Sequence, residues 1–138
     1  MYKKNTFLRL FLHKIRKALQ FKHKVPEEDR IAIALGKWVG SGKWALGCSL
    51  GELAQEFGVT PSALSAYFRE RFSKSFPQWR RDIRIEEAKK LLELDRKMPT
   101  ELVGEAVGIS DRSNFKRLFK AATGKTPSQW RSEHQLHI

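Results

Sequence analysis

The sequence predicts an all-α protein in which one short helical unit occurs twice, the two copies joined by a long helix. Three observations carry that expectation. Helix-capping residues punctuate the chain at regular intervals. Apolar residues recur at helical spacing, with no sustained alternation of the kind strands show. The segment from Ser49 to about Gln78 is echoed 50 to 51 residues later. The reading divides the chain into a basic amphipathic segment (1–25), a folded domain of about seven helices (26–134) and a short tail (135–138). Within the domain lie a first unit over about 49–73, a connecting helix over about 75–95 and a second unit over about 99–122.

The first helix of the domain is expected over roughly 27–40. Pro26 precedes Glu27, Glu28 and Asp29, and both the proline and the acids suit a first turn. Ile31, Ala34, Leu35, Trp38 and Val39 follow at 3.6-residue spacing, and Gly40-Ser41-Gly42 ends the helix. Ser49-Leu50-Gly51-Glu52 matches a capping box and opens a short helix that closes at Gly58, suited to a left-handed C-cap. Thr60-Pro61 starts the next helix, with Leu64, Phe68 and Phe72 spaced by four. The connecting helix turns Trp79, Ile83, Ala88, Leu91 and Leu92 inward. Three further short helices are expected at about 100–107, 111–122 and 127–134, the last opened by Thr126-Pro127-Ser128-Gln129.

The repeat explains the spacing. SLGELAQEFG (49–58) is answered by PTELVGEAVG (99–108) at an offset of 50. Past the turn the offset becomes 51: Leu64 and Phe68 match Phe115 and Phe119, Lys74 matches Lys125, and Gln78-Trp79 matches Gln129-Trp130. Each unit reads as a short helix, a glycine turn and a second helix capped by Thr60 or Ser110. That is the local recipe for two helices crossing steeply, a helix-turn-helix. The Leu/Phe stripe of the second helix faces the core, and its opposite face is free to enter a groove that admits one helix. A plain helical bundle with a duplicated hairpin is the competing reading.

Charge points to the partner class. Lys and Arg number 27 against 15 Asp and Glu, a formal net charge of +12, and hydrophobic residues make up 41% of the chain. Such an excess attracts nucleic acid or an anionic membrane surface. Residues 1–30 hold nine of the cations and three of the acids. The single cysteine, Cys48, excludes an intramolecular disulfide and fits a reducing cytoplasm. No apolar run is long enough to span a membrane, and the N-terminal stretch lacks the cleavage site of a signal peptide. No glycine-rich phosphate loop follows a strand, and Cys48 has no histidine partner, so neither an enzyme nor a cofactor is expected. His134 and His137 stand three apart without further ligands, and a solvated tail is preferred to a metal site.

The segment from about 49 to 134 resembles the DNA-binding domain of the AraC/XylS family of bacterial transcriptional regulators. The resemblance rests on LGELAQEFGVTPSALSAYF, on RIEEAKKLL in the connecting helix, and on VGEAVGISDRSNFKRLFKAATGKTPSQWR. It implies two recognition helices in successive major grooves on one face of double-stranded DNA, in the cytoplasm, with RNA polymerase or another protein as further partner classes. A connecting helix of about 20 residues spans roughly 30 Å, against about 34 Å between such grooves. One chain could therefore read two half-sites as a monomer, with a dimer left open. Roughly 30 residues ahead of the domain are too few for an effector-binding domain, so a stand-alone DNA-binding domain is expected.

Onto the second recognition helix the resemblance carries base contacts at Arg112, Ser113, Asn114, Lys116 and Arg117. Arg112 is the foremost, because arginine can donate two bonds to guanine O6 and N7. The matching positions of the first unit are Ser62, Ala63, Ser65 and Ala66, small and neutral, so discrimination is expected to come chiefly from the second unit. Arg69, Arg71, Lys74 and Lys125 are expected to bind phosphate, as are the capped helix starts at Thr60 and Ser110. The aromatics Trp79, Trp130, Phe68 and Phe119 read as core rather than as stacking platforms for single strands. RNA is disfavoured because the A-form major groove excludes a helix.

Three positions depart from the family's pattern: Pro99, Thr100 and Gly104. Thr100 is expected to cap the second unit's first helix, with Pro99 outside it. Gly104 sits where the helices cross; it allows their close approach and costs about 1 kcal/mol of helix propensity relative to alanine. In the N-terminal segment Leu8, Phe11, Leu12, Ile15 and Leu19 fall on one face, with Arg9, Lys14, Arg16 and Lys17 elsewhere. It reads as a helix packed on the domain or on a second copy, as a disordered phosphate-binding arm, or as an element lying on a membrane or partner groove. A basic helical interaction module for a membrane or acidic protein is the alternative for the chain as a whole.

Overall fold

The computed structural model describes residues 8–16 and 25–134. Helix α1 covers 8–16. Then come α2 (Glu27–Gly40), a 3-10 turn (Lys43–Ala45), α3 (Leu50–Phe57), α4 (Pro61–Phe72), α5 (Phe76–Leu94), α6 (Thr100–Ala106), α7 (Arg112–Thr123) and α8 (Pro127–Glu133). No strand occurs among the described residues. Within α1, Leu8 and Leu12 are exposed while Phe11 and Ile15 are half-buried. Lys17 and Leu19 lie outside the described residues, as do the tail and His137.

Local chemistry sets the boundaries. Ser49, Thr60, Ser75 and Thr126 each accept a backbone N–H three residues on, which satisfies a donor the first helical turn leaves free. Ser75 with Gln78 and Thr126 with Gln129 complete reciprocal capping boxes. Ser49 makes the forward bond only, its hydroxyl lying against the Glu52 carboxylate at 3.2 Å. Three expectations shift. The cap of α7 is Asp111 rather than Ser110, its carboxylate accepting Asn114 N–H at 2.7 Å; the second turn is one residue longer, and that extra residue is Ser110. Thr100 is the first helical residue of α6 instead of its cap, with Pro99 in the cap position and no side-chain bond there. In α5 the buried positions are Phe76, Ile85, Ala88 and Leu92, while Ile83 is half-buried.

Two cores result, one per unit. Ile31, Leu35, Trp38, Leu53, Ala54, Leu64, Phe68 and Phe76 form the first. Ile85, Ala88, Leu92, Val103, Val107, Ile109, Phe115 and Phe119 form the second. Helix α5 runs through both, and Trp44 packs against both. Each turn repeats its hydrogen bonds at an offset of 50: Val59 N–H to Ala54 O at 3.0 Å, Ile109 N–H to Gly104 O at 2.8 Å.

A second duplicated device ties each unit to the helix beyond it. Arg80 Nη1 donates to Cys48 O at 2.7 Å, and Arg131 Nη2 donates to Met98 O at 2.5 Å. In both cases the arginine after the Gln-Trp pair holds the carbonyl just before its unit's first cap position. Arg84 adds a bridge between the units, donating from Nε to Trp44 O and from Nη2 to Leu46 O. The 44–48 strap thereby lies against the second turn, where a Cβ on Gly108 (φ +85°) would stand 2.1 Å from Ala45 O. Gly58, the counterpart in the first turn, has open space around it.

Candidate nucleic-acid interface

Helix α7 packs Phe115 and Phe119 into its core and half-buries Leu118. Arg112, Ser113, Lys116 and Arg117 are left exposed on the other side, with Asn114 half-buried at the edge. The predicted reading positions of the second unit therefore do share one outward face. Their side chains are braced. Arg112 Nε sits 3.0 Å from Glu101 Oε1 of α6, and Arg117 Nη2 donates to Asn114 Oδ1 at 2.6 Å. To meet a guanine edge, Arg112 must exchange this exposed carboxylate for the base, a partner swap that costs little at a solvated surface.

Helix α4 presents a different face. Ser62 is exposed, Ser65 half-buried and accepting from Arg69 Nη2 at 3.3 Å. Ala63 and Ala66 are half-buried and line a cavity of about 190 Å³ with Glu27, Glu28 and Tyr67. These alanines thus border α2 as well as the outward surface. Burial pushes the Tyr67 hydroxyl above its ordinary pKa, with Arg71 pulling the other way.

The cations expected at phosphates divide. Arg69 is exposed, and among the described residues its guanidinium bonds Ser65 alone. Arg71 is paired with Glu28 at 2.9 Å. Lys74 is paired with Asp82, and Lys125 with Glu133. The last two pairs have the same eight-residue spacing and occur at the same place in each unit, so both turn lysines fold back on the following helix. Free phosphate ligands they are not; binding phosphate means leaving a carboxylate. Thr60 caps α4 by accepting Ala63 N–H at 3.1 Å. Ser110 is exposed one residue before the Asp111 cap, so the anion-facing start of α7 carries a carboxylate of its own.

A site that the sequence reading did not assemble lies beside α7. A cavity of about 310 Å³ between α5 and α7 is lined by Arg80, Arg81 and Arg84 facing Ser110, Asp111 and Asn114. Arg80 is fixed by Cys48 O and by its stacking over the Phe76 ring, 4.9 Å from centroid to Cζ. Arg84 is fixed by the strap carbonyls; burial, then the neighbouring Arg80 charge, lowers its pKa from the usual arginine value. The signal was available in part, since Trp-Arg-Arg extends the Gln-Trp repeat by one arginine shared with Gln129-Trp130-Arg131 and one that is not.

His134 differs from its expected place in a solvated tail: it is half-buried, stacked on Trp130 at 3.9 Å with Nδ1 2.9 Å from Trp130 O. Among the described residues no group of three or more His, Cys, Asp or Glu could hold a metal, and no helix is long and apolar enough to cross a membrane.

Two helix-turn-helix units on one connecting helix, with separate cores and one outward cationic face, define a double helix-turn-helix domain. A sequence profile for the helix-turn-helix domain family matches residues 53–133. The arabinose operon regulatory protein of Escherichia coli (strain K12) is 42% identical over 83 residues, 60% of this chain and 28% of that protein. The C-terminal domain of AraT, a response regulator from Geobacillus stearothermophilus, superposes with a TM-score of 0.69 at 25% identity, covering 78% of this chain and 88% of that one. The DNA-binding domain of AdpA, solved in complex with a target DNA, gives 0.67 at 17% identity over 75% and 90% of the two chains, a likeness of fold. The chain belongs to the helix-turn-helix family of the AraC type. It spans less than a third of the length of the curated relatives it matches.

Proposed function

We propose that this chain is a sequence-specific, double-stranded-DNA-binding transcriptional regulator that sets α4 and α7 in successive major grooves on one face of the duplex, acting in the cytoplasm. The observation that carries the reading is the duplicated unit on a single α5 of 19 residues. At 1.5 Å per residue that helix is about 28 Å long, close to the roughly 34 Å between neighbouring grooves on one face. Support comes also from a relative named as an operon regulatory protein and from a structural neighbour solved with target DNA.

Within this reading Arg112 and Arg117 reach base edges after leaving Glu101 and Asn114, with Ser113 and Lys116 beside them and Asn114 freed to face adenine. Ser62 and Ser65, flanked by Ala63 and Ala66, let α4 sit close without a long donor arm, so the first unit positions the protein and the second discriminates. Thr60, Arg69 and the helix starts supply backbone contacts, with Arg71, Lys74 and Lys125 available once they exchange their carboxylates.

Selection from random duplexes tests the proposal. The expected product is an enriched site of two parts centred about 10–10.5 base pairs apart, one part more sharply defined than the other. Absence of any enrichment above the starting pool would overturn it.

A further inference from the structure

The two units offer homologous grooves beside their recognition helices, and only one of them suits an anion. In the first unit the groove between α2 and α4 is lined by Glu27, Ile31, Ala63 and Tyr67; at the matching positions of the second stand Pro77, Arg81, Asn114 and Leu118. Glu28 and Glu70 add carboxylates to the first, Arg80 and Arg84 guanidinium groups to the second. Resting on the reading of the chain as a DNA-binding protein, we propose that the α5–α7 cleft is a phosphate site, filled by one backbone phosphodiester of the bound duplex beside the second half-site.

The chemistry fits an oxyanion. Each guanidinium carries five N–H donors in a planar fork suited to phosphate oxygens. Arg80 commits one nitrogen and Arg84 two to main-chain carbonyls. Both are therefore held in place before any ligand arrives, and the ordering cost of binding is already met. The Arg81 side chain is exposed and makes no hydrogen bond or ion pair among the described residues, so it is free to close on the ligand. The one acid in the wall, Asp111, is engaged as the α7 cap. Position selects the duplex as the source. Asn114 belongs both to the cleft and to the outward end of α7. A groove that admits the start of α7 therefore brings its backbone past the cleft mouth.

The experiment compares wild type with Arg81→Gln and Arg81→Lys on a duplex carrying the selected site and on random duplex, over a salt series. Arg81→Gln is expected to weaken both about fivefold and to reduce the salt slope by about one, leaving their ratio and the thermal midpoint unchanged. Arg81→Lys is expected to keep the slope. Replacing single phosphates by neutral methylphosphonates should reveal one position, beside the second half-site, that weakens wild type and not Arg81→Gln. Unchanged affinity and slope in Arg81→Gln would overturn the assignment, and so would a scan in which every position affects both proteins alike. Inorganic phosphate added to the DNA-free chain separates the sources: a rise in thermal midpoint that Arg81→Gln abolishes, together with a scan that reveals no such backbone position, would give the cleft to free phosphate and refute the duplex. A chain that selects no duplex breaks the underlying function, whereas selection with an indifferent Arg81 breaks only this site.

Discussion

In the first unit the recognition helix α4 borders a groove walled by Glu27, Glu28 and Glu70; in the second, α7 borders one walled by Arg80, Arg81 and Arg84. The same contrast holds on the outward faces, with Ser62, Ala63, Ser65 and Ala66 against Ser113, Asn114, Lys116 and Arg117. Beneath those surfaces the units agree closely. Leu64 and Phe68 match Phe115 and Phe119, Cys48 is clipped by Arg80 as Met98 is by Arg131, and Lys74 finds Asp82 as Lys125 finds Glu133. Core packing and turn hydrogen bonds tolerate little change, whereas exposed positions cost the fold little whichever residue occupies them. One scaffold can thus carry two different faces.

The scaffolds part company at the turn glycines, and the largest effect is expected there. Both Gly58 and Gly108 have positive φ, so alanine at either meets a left-handed penalty of about 1–2 kcal/mol. Only at Gly108 would the new Cβ strike a backbone atom, Ala45 O. Overpacking of that kind adds about 1–3 kcal/mol. Gly108→Ala is therefore expected to destabilise by about 2–5 kcal/mol and Gly58→Ala by about 1–2 kcal/mol, read from denaturant midpoints by circular dichroism. Equal losses would show that the 44–48 strap does not press on the second turn.

The reading faces come next. Arg112→Ala is expected to lose about 1–3 kcal/mol of discrimination between the selected site and a site altered in its second half. Ser65→Ala should change discrimination in the first half by no more than about 0.5 kcal/mol. Competition binding on the two altered duplexes measures both. A larger loss from the serine change would reverse the assignment of the discriminating unit.

A smaller effect is expected at the helix crossing, where close approach opposes helix propensity. Helix propensity makes Gly104 a defect worth about 1 kcal/mol that alanine would repair. In the fold, a Cβ there would meet Ile109 O at 2.8 Å and the Phe115 ring at 3.1 Å. Gly104→Ala is expected to lower stability by up to about 2 kcal/mol net of the propensity gain. Ala54, the counterpart, is fully buried. A raised midpoint in Gly104→Ala would show that Phe115 gives way.

At Gly104 the close approach was legible in the sequence, and the neighbours Ile109 and Phe115 that make it close were not. Helix order was legible because caps and periodicity are local: Ser49, Thr60, Ser75 and Thr126 work within four residues of themselves. The shift from Ser110 to Asp111 was half-visible in the change of offset from 50 to 51, but both residues are competent caps, and only the turn's length decides. Ile85 over Ile83 depends on the angular drift of a helix serving two cores at once. The 44–48 strap was not legible at all, because its partners bind main-chain carbonyls, which any sequence supplies. The outward face of α7 followed from locating Phe115 and Phe119; the arginine cleft needed two helices from 30 residues apart brought side by side.

The turn lysines offer the finest comparison, since here the units behave alike. Lys74 and Lys125 each close on a carboxylate eight residues ahead, at side chains nearly half exposed. Exposed pairs of this kind contribute about 0–1 kcal/mol, so Asp82→Asn and Glu133→Gln should shift the unfolding midpoint little. Each releases a lysine near the end of a recognition helix. If that lysine reaches the backbone, binding to random duplex strengthens and the salt slope steepens by up to about one. Equal changes for the two variants would mean that both units lie equally close to the phosphates, whatever their reading faces do. A change confined to Glu133→Gln would mean that the second unit carries the backbone contacts as well as the discrimination, extending the asymmetry of the two grooves to the turns. No change in either would confine both lysines to holding the turn and remove them from the DNA surface.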